Sequence, residues 1–164
     1  MSSDSGASMR SSGQGSRASL RAVLERGQQL GFIGARADLD VEIDHALAFG
    51  TAVGALSGSR VADLGSGAGL PALVLAHQWT TAQFTLIESA SARAGFLERA
   101  VVELGWSNRV LVVHGRAEVF ARQPDRRGHF DVVTARAFGP PAVVAECAAP
   151  LLRYGGRLVV SEPP

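Results

Sequence analysis

Hydrophobic positions change their spacing along the chain, and each change marks a structural region. Residues 1–17 are mainly Ser, Gly and small polar residues with no hydrophobic period. Such a stretch cannot bury enough apolar surface to offset ordering, so it is expected to be a disordered lead. A helical period begins at Ser19, the expected N-cap, with Leu20, Val23, Leu24 and Leu30 along one face. Gly31 to Asp38 reads as a loop. A second helix is predicted from about Leu39, turning Val41, Ile43, Leu47, Phe49 and Val53 toward a buried side and ending in a turn at Gly58-Ser59.

From Arg60 the pattern becomes an alternation. Short apolar runs at Val61–Leu64, Phe84–Ile87, Val110–Val113, Phe130–Val133 and Arg157–Val160 are of strand length. Helical stretches are predicted between them, at Gly69–His77, Ser91–Leu104, Glu118–Arg122 and Pro141–Leu152. Continuous Val, Leu and Ile runs indicate strands covered on both faces. Five such strands separated by helices predict an α/β fold with a doubly wound parallel sheet. The expected organisation is a lead at 1–17, an N-terminal helical segment at 18–59 and an α/β domain at 60–164.

Composition narrows the classes. A chain of 164 residues with a formal charge of +1 suits one folded domain and lacks the basic excess of a dedicated nucleic-acid module. Its 16 basic residues are all arginine, which excludes a phosphate-loop lysine, a Schiff-base lysine and a lysine general base. One cysteine, Cys147, rules out an intrachain disulfide and reads as a small core residue. Four scattered histidines lack metal-ligand spacing, and Trp79 and Trp106 are isolated. No apolar run approaches the roughly 20 residues needed to span a bilayer, and the first residues have no apolar signal region. A soluble, cytoplasmic protein without a metal is expected; nothing bears on its oligomeric state.

The most informative stretch is Asp63-Leu64-Gly65-Ser66-Gly67-Ala68-Gly69-Leu70-Pro71, at the end of the first core strand. Glycines there admit unusual backbone angles and close approach of a ligand, at the strand end where open α/β sheets bind ligands. A dinucleotide fingerprint needs glycine three positions after Gly67, and Leu70 stands there. The second strand ends in Glu88, 23 residues after Gly65, where an acid can accept hydrogen bonds from ribose hydroxyls.

The G-x-G-x-G pattern after Asp63 resembles motif I of class I methyltransferases, which bind S-adenosylmethionine. More narrowly, residues 61–71, with the proline after the glycine turn, resemble the GidB/RsmG family of bacterial 16S ribosomal RNA guanine-N7 methyltransferases. Glu88-Ser89 with Arg93 and Phe96-Leu97, then Arg116-Ala117-Glu118, resemble further family segments in order. So do Phe130-Asp131 with Ala135-Arg136-Ala137, and Pro150-Leu151-Leu152 with Gly155-Gly156. The resemblance covers about residues 60–160 and implies a Rossmann-like class I methyltransferase fold. It implies that Asp63, Gly65, Ser66, Gly67, Gly69 and Leu70 form the cofactor loop. It also implies that Glu88 holds the ribose, Ala117 and Glu118 sit against adenine, and Arg136 lies beside the methyl-donor pocket, orienting the acceptor. The implied partner is 16S rRNA or the small ribosomal subunit.

The chain departs from that pattern at several places. Ala92-Arg93 replaces two adjacent basic residues, and Ala46-Leu47-Ala48-Phe49 follows His45 where Asp-Ser is usual. The Trp-Asn and Asn-Leu-Thr pattern of the N-terminal segment is missing. Ser161-Glu162-Pro163-Pro164 stands where a lysine-glycine pair follows the fifth strand, ahead of the last two strands of the fold; a fragment or a shortened member is expected. Two other readings stay open: a methyltransferase acting on a small molecule, and a non-catalytic S-adenosylmethionine-binding or interaction protein. A nicotinamide enzyme ranks behind them because of Leu70.

Overall fold

The computed structural model describes residues 16–54 and 58–161. The expected lead, except its last two residues, and the Glu162-Pro163-Pro164 segment lie outside the described residues. Two helices come first, α1 (Arg17–Gln29) and α2 (Leu39–Val53). Then β1 (Arg60–Leu64), α3 (Ala72–Gln78), β2 (Gln83–Glu88), α4 (Ser91–Glu103) and β3 (Val110–His114) alternate. They are followed by α5 (Ala117–Ala121), a single turn at Pro124–Arg126, β4 (Phe130–Arg136), α6 (Pro141–Ala148) and β5 (Leu152–Ser161). The five strands form one parallel sheet in the order β3-β2-β1-β4-β5. The chain therefore winds outward from β1 in one direction and from β4 in the other, and the switch point falls between β1 and β4.

Strand alternation divides the core into two layers. Val61, Phe84, Leu86, Val110 and Val132 face one side, where they meet Leu24, Phe49, Leu73, Phe96 and Trp106 of the α1–α4 layer. Ala62, Leu64, Ile87, Val133 and Ala135 face the other and pack with Phe120, Val144 and Cys147 around α5 and α6. Cys147 is a buried free cysteine of that second layer. Trp106 is fully buried, and Trp79 lies against Phe84 with ring centroids 6.2 Å apart, so both tryptophans serve the core.

Several sequence expectations are corrected. The N-cap of α1 is Ser16, whose side chain accepts from the Ser19 amide; in this serine-rich stretch the cap lies one turn before the expected one. Leu30 is 52% exposed because it caps the end of α1, past the last turn that touches the core. Val41 is 62% exposed, on the outer side of α2 from Ile43 and Ala46. That helix stops at Val53 with Gly54 as its cap, before the expected turn. Strand β5 starts at Leu152, five residues earlier than the apolar run, with a register irregularity opposite Phe130 and Val132. Only the inner strands are covered on both faces: β3 and β5 are edges, with Leu111 half exposed and Tyr154 wholly exposed. Among the described residues no helix is long and apolar enough to cross a membrane.

One charge lies inside the α1–α4 layer. Asp63 pairs in register with Thr134 of β4, and the Thr134 hydroxyl donates to Asp63 Oδ1 at 2.6 Å. Among the described residues Oδ2 has no hydrogen-bond partner. Burial is the main cause that pushes the carboxyl up to about 6 from 3.8, with the Glu88 charge adding to it; the hydrogen bonds from Thr134 and Ser66 pull the other way. Between those two values the native chain holds a proton that the unfolded chain releases, so stability falls as pH rises through the window.

Two measurements follow from this packing. Leu24→Ala, at a fully buried site, should lower the unfolding free energy by about 2–5 kcal/mol, whereas Leu30→Ala should change it by less than about 0.5 kcal/mol in urea melts. Asp63→Asn removes the buried charge. Its stability relative to the parent chain should rise by about 2–3 kcal/mol between pH 4 and pH 7 and stay level above. A pH-independent difference would show that Asp63 titrates normally.

Candidate functional site

The switch point places the carboxyl ends of β1 and β4 side by side, and the glycine loop leaves β1 there. Gly65 and Ser66 donate their amides to the Ile87 carbonyl at 2.9 and 3.1 Å, which fastens the loop to β2. Glu88 completes the fastening: Oε2 accepts from the Gly67 amide and Oε1 from the Ala90 amide, both at 2.8 Å. Ser66 donates its hydroxyl to the Asp63 carbonyl at 3.1 Å, and the Gly69 amide donates to the Ser66 carbonyl at 2.7 Å.

Glycine is required at two points of this loop. Gly65 has φ +67°, and a Cβ there would stand 2.7 Å from the Phe138 ring. Gly69 has φ +94°, and a Cβ would meet Leu73 at 2.4 Å. The first contact keeps the aromatic ring of the β4 exit close over the loop; the second lets α3 start directly beneath it. Residue Ala137, between Arg136 and Phe138, holds φ +49°, a left-handed conformation uncommon for a residue with a side chain. It turns the chain so that Arg136 and Phe138 line different cavities.

Two cavities meet at Gly65. The larger, of about 440 Å³, is walled by Gly65, Ile87 and Ser89, by Gly115 through Glu118, and by Phe138, Gly139 and α6 residues including Val143, Glu146 and Cys147. The smaller, of about 260 Å³, lies on the other side, against Gly65–Ala68, Leu70, Phe32, Arg93, Glu42, Arg136 and Ala137. A third hollow, of about 330 Å³, follows the β4 exit from Ala137 to Pro141 and reaches Val160 and Ser161 of β5. All three open at the carboxyl edge of the sheet.

The sequence-predicted residues divide between these spaces. Gly65, Ala117 and Glu118 line the larger cavity; Gly65, Ser66, Gly67, Leu70 and Arg136 line the smaller. Asp63, Gly69 and Glu88 line neither. Asp63 lies under the loop, Gly69 faces α3, and the 4%-exposed Glu88 uses both carboxylate oxygens on backbone amides. Ala117 is buried at the start of α5. Glu118 is ion-paired with Arg116 at 2.5 Å, and its own amide, followed by Arg116, holds its carboxyl below the usual range. His45 is exposed beside Phe49 and lines neither cavity.

Three lining residues were not legible beforehand. Phe138 could have been suspected only as an aromatic just past a strand end. Glu42 forms an ion pair with Arg136, 94 residues away, at 20% and 21% side-chain exposure. Nothing local in the sequence marks that partnership. Phe32 lies in the loop between α1 and α2, its ring edge-on to Phe96 at 5.6 Å with the Arg93 guanidinium 5.9 Å from its centroid.

Comparisons with known proteins agree with this geometry. A methyltransferase from Thiobacillus denitrificans, described as SAM-dependent and solved with S-adenosyl-L-homocysteine, superposes with a TM-score of 0.61 at 24% identity, over 73% of this chain and 48% of that one; it shares the fold. Ribosomal RNA small subunit methyltransferase G of Exiguobacterium sibiricum is 44% identical over 99 residues, 60% of this chain and 41% of the relative. The Deinococcus deserti protein of the same name is 36% identical over 151 residues, 90% of this chain and 62% of its own. The chain thus spans about two to three fifths of the length of these relatives. The family described as rRNA small subunit methyltransferase G matches residues 17–161, helices, glycine loop and all five strands together, and the chain belongs to that family, GidB.

Proposed function

We propose that the chain forms the donor-binding core of an S-adenosylmethionine-dependent methyltransferase that acts on guanine N7 of 16S rRNA in the cytoplasm. The observation that carries the reading is the junction of two cavities at Gly65, at the switch point of the sheet, within the family-specific stretch 61–71. The residues present suit the donor. The larger cavity falls within the volume range of small-molecule sites and offers the small Ala117 beside the Glu118 carboxylate. Glu88 spends one lone pair of each oxygen on a backbone amide, so each retains capacity to accept from a ribose hydroxyl. The reading gives Glu88 two tasks: shaping the loop and holding the sugar.

When bound, the donor supplies a methyl group on a positively charged sulfur. Guanine N7 attacks with a lone pair that carries no proton, so no base has to remove one. Transfer would exchange the S–C bond of the donor for an N–C bond on the guanine, with sulfur retaining the bonding electrons, so the residues around Gly65 would have no proton to move. The work left to the chain is alignment, and alignment alone can lower a barrier by several kcal/mol. Ala117 and Glu118 fix one end of the donor, the loop at Gly65 its middle, and Arg136 the side facing the acceptor. Phe138 covers the junction and keeps water from it. The acceptor base enters along the hollow from Ala137 to Pro141. Exposed Arg93, Arg116 and Arg122 around the mouths meet RNA phosphates.

The test is methyl transfer from labelled donor to small ribosomal subunits that lack the modification, followed by mapping of the label. Label at guanine N7 is expected. Donor binding without label on the RNA would point to a small-molecule acceptor, and preference for NAD in calorimetry would overturn the cofactor reading. Glu88→Gln leaves one of the Gly67 and Ala90 amides without its carboxylate acceptor. S-adenosylhomocysteine affinity should fall by about tenfold, the cost of one hydrogen bond to a charged group; unchanged affinity would leave Glu88 without a binding role.

A further inference from the structure

The amino edge of the sheet, opposite the edge where the glycine loop sits, has a cavity of its own. Its volume is about 270 Å³, and it lies where β2 and β3 begin. Gln83 and Thr85 of β2, Asn108 and Arg109 at the approach to β3, and Arg126 and His129 of the α5–β4 connection are among its walls. Among the described residues no carboxylate lines it. The side chains around it are instead rich in hydrogen-bond donors.

Two of the nitrogen-bearing side chains are already held in place by the core. The Arg126 guanidinium lies 5.3 Å from the centroid of the buried Phe120 ring, and His129 stands edge-on to Phe130 at 5.2 Å. Arg109 is engaged elsewhere: it donates to the Ala76 carbonyl at 2.7 Å and lies over the Trp106 ring. Arg126 has no such engagement. Its Nε is buried, and among the described residues it has no hydrogen-bond partner, although Asp125 Oδ2 stands 3.2 Å away. The Asp125 side chain is 68% exposed, so solvent screens that attraction, and without hydrogen-bond alignment it leaves the N–H unsatisfied. A buried donor of this kind carries its desolvation cost in full until an acceptor arrives.

The donor set says which acceptor fits. A planar guanidinium fork matches two oxygens of a phosphate or a carboxylate. A carboxylate has no oxygen left once the fork is filled, whereas a phosphate presents others to the facing wall. Donors stand on that wall too, in the amides of Gln83 and Asn108 and the hydroxyl of Thr85. We propose that this cavity binds a phosphate group, gripped by Arg126 on one wall and completed by His129 and by the β2–β3 wall. An RNA strand and a small phosphate compound present the same group. The site itself is independent of the donor reading; only its assignment to RNA rests on the proposed function.

Nuclear magnetic resonance of the isotope-labelled full chain tests this, because the Arg126 Nε–H signal reports on this cavity alone. Inorganic phosphate should shift that signal together with the Asn108 and His129 amides, and chloride at matched ionic strength should not. Arg126→Gln should abolish the amide shifts while leaving the remaining spectrum folded. Arg126→Lys, which keeps the charge but not the fork, should weaken phosphate by about tenfold. A short single-stranded RNA that moves the Nε signal at lower concentration than phosphate would assign the site to a nucleic-acid backbone; RNA acting no better would assign it to a small phosphate compound. No shift with phosphate, an equal shift with chloride, or shifts undiminished in Arg126→Gln would overturn the proposal and leave the donor reading untouched.

Discussion

The carboxyl edge of the sheet depends on how the glycine loop is fastened to β2. Three consecutive amides, of Gly65, Ser66 and Gly67, find acceptors at the end of that strand: two share the Ile87 carbonyl and the third meets Glu88. Loop amides left unpaired beside the core would each cost about as much as a lost hydrogen bond. Pairing them on β2 forces the loop to bend back over the strand it left, and positive φ at Gly65, Gly67 and Gly69 makes the bend possible. Both cavities are consequences of that bend, because Gly65 is the ridge between them.

The same fastening explains why so much acidity is tolerated below the loop. Glu88 is nearly buried yet hydrogen-bonded at both oxygens, so its charge is compensated locally. Asp63 accepts from the Thr134 hydroxyl at Oδ1 while, among the described residues, its buried Oδ2 has no partner, and burial raises its carboxyl to about 6. The two acids lie on adjacent strands, Asp63 one residue before the register partner of Ile87, and the charge of Glu88 adds to the rise of Asp63. Stability is thus conceded under the loop in exchange for its shape.

What could be read from the sequence follows from this division. The parallel sheet was legible because Val61–Leu64, Phe84–Ile87 and Phe130–Val133 are uninterrupted apolar runs, as strands covered on both faces require. The edges were not, because Val110–Val113 is just as apolar although β3 borders solvent. The early start of β5 was hidden by Arg153, Tyr154 and two glycines, polar or featureless positions that an exposed edge tolerates. Helix limits slipped by a turn where several serines compete for one cap. In the site, the residues contiguous with the loop could be named in advance. Glu42 and Phe138 could not, since they reach Gly65 only through the packing of α2 on α3 and the left-handed turn at Ala137.

In the proposed reading the layout separates donor from acceptor. The walls of the two cavities that meet at Gly65 come from the ends of β2 and β4, from the turns after β1 and β3, and from α2, α4, α5 and α6, elements fixed by the buried layers on both faces of the sheet. The hollow proposed for the acceptor is bounded by the Pro140-Pro141 corner and by Val160 and Ser161 of the edge strand. A site built this way can hold the donor geometry constant while its acceptor side changes. In sequence the glycine loop, Glu88 and Arg116-Ala117-Glu118 keep the family pattern, while Ala92 at the head of α4 and Ala46-Leu47 after His45 depart from it. In the proposed reaction the nucleophile brings its own electron pair, so divergence on the acceptor side alters which base is presented without touching the chemistry at Gly65.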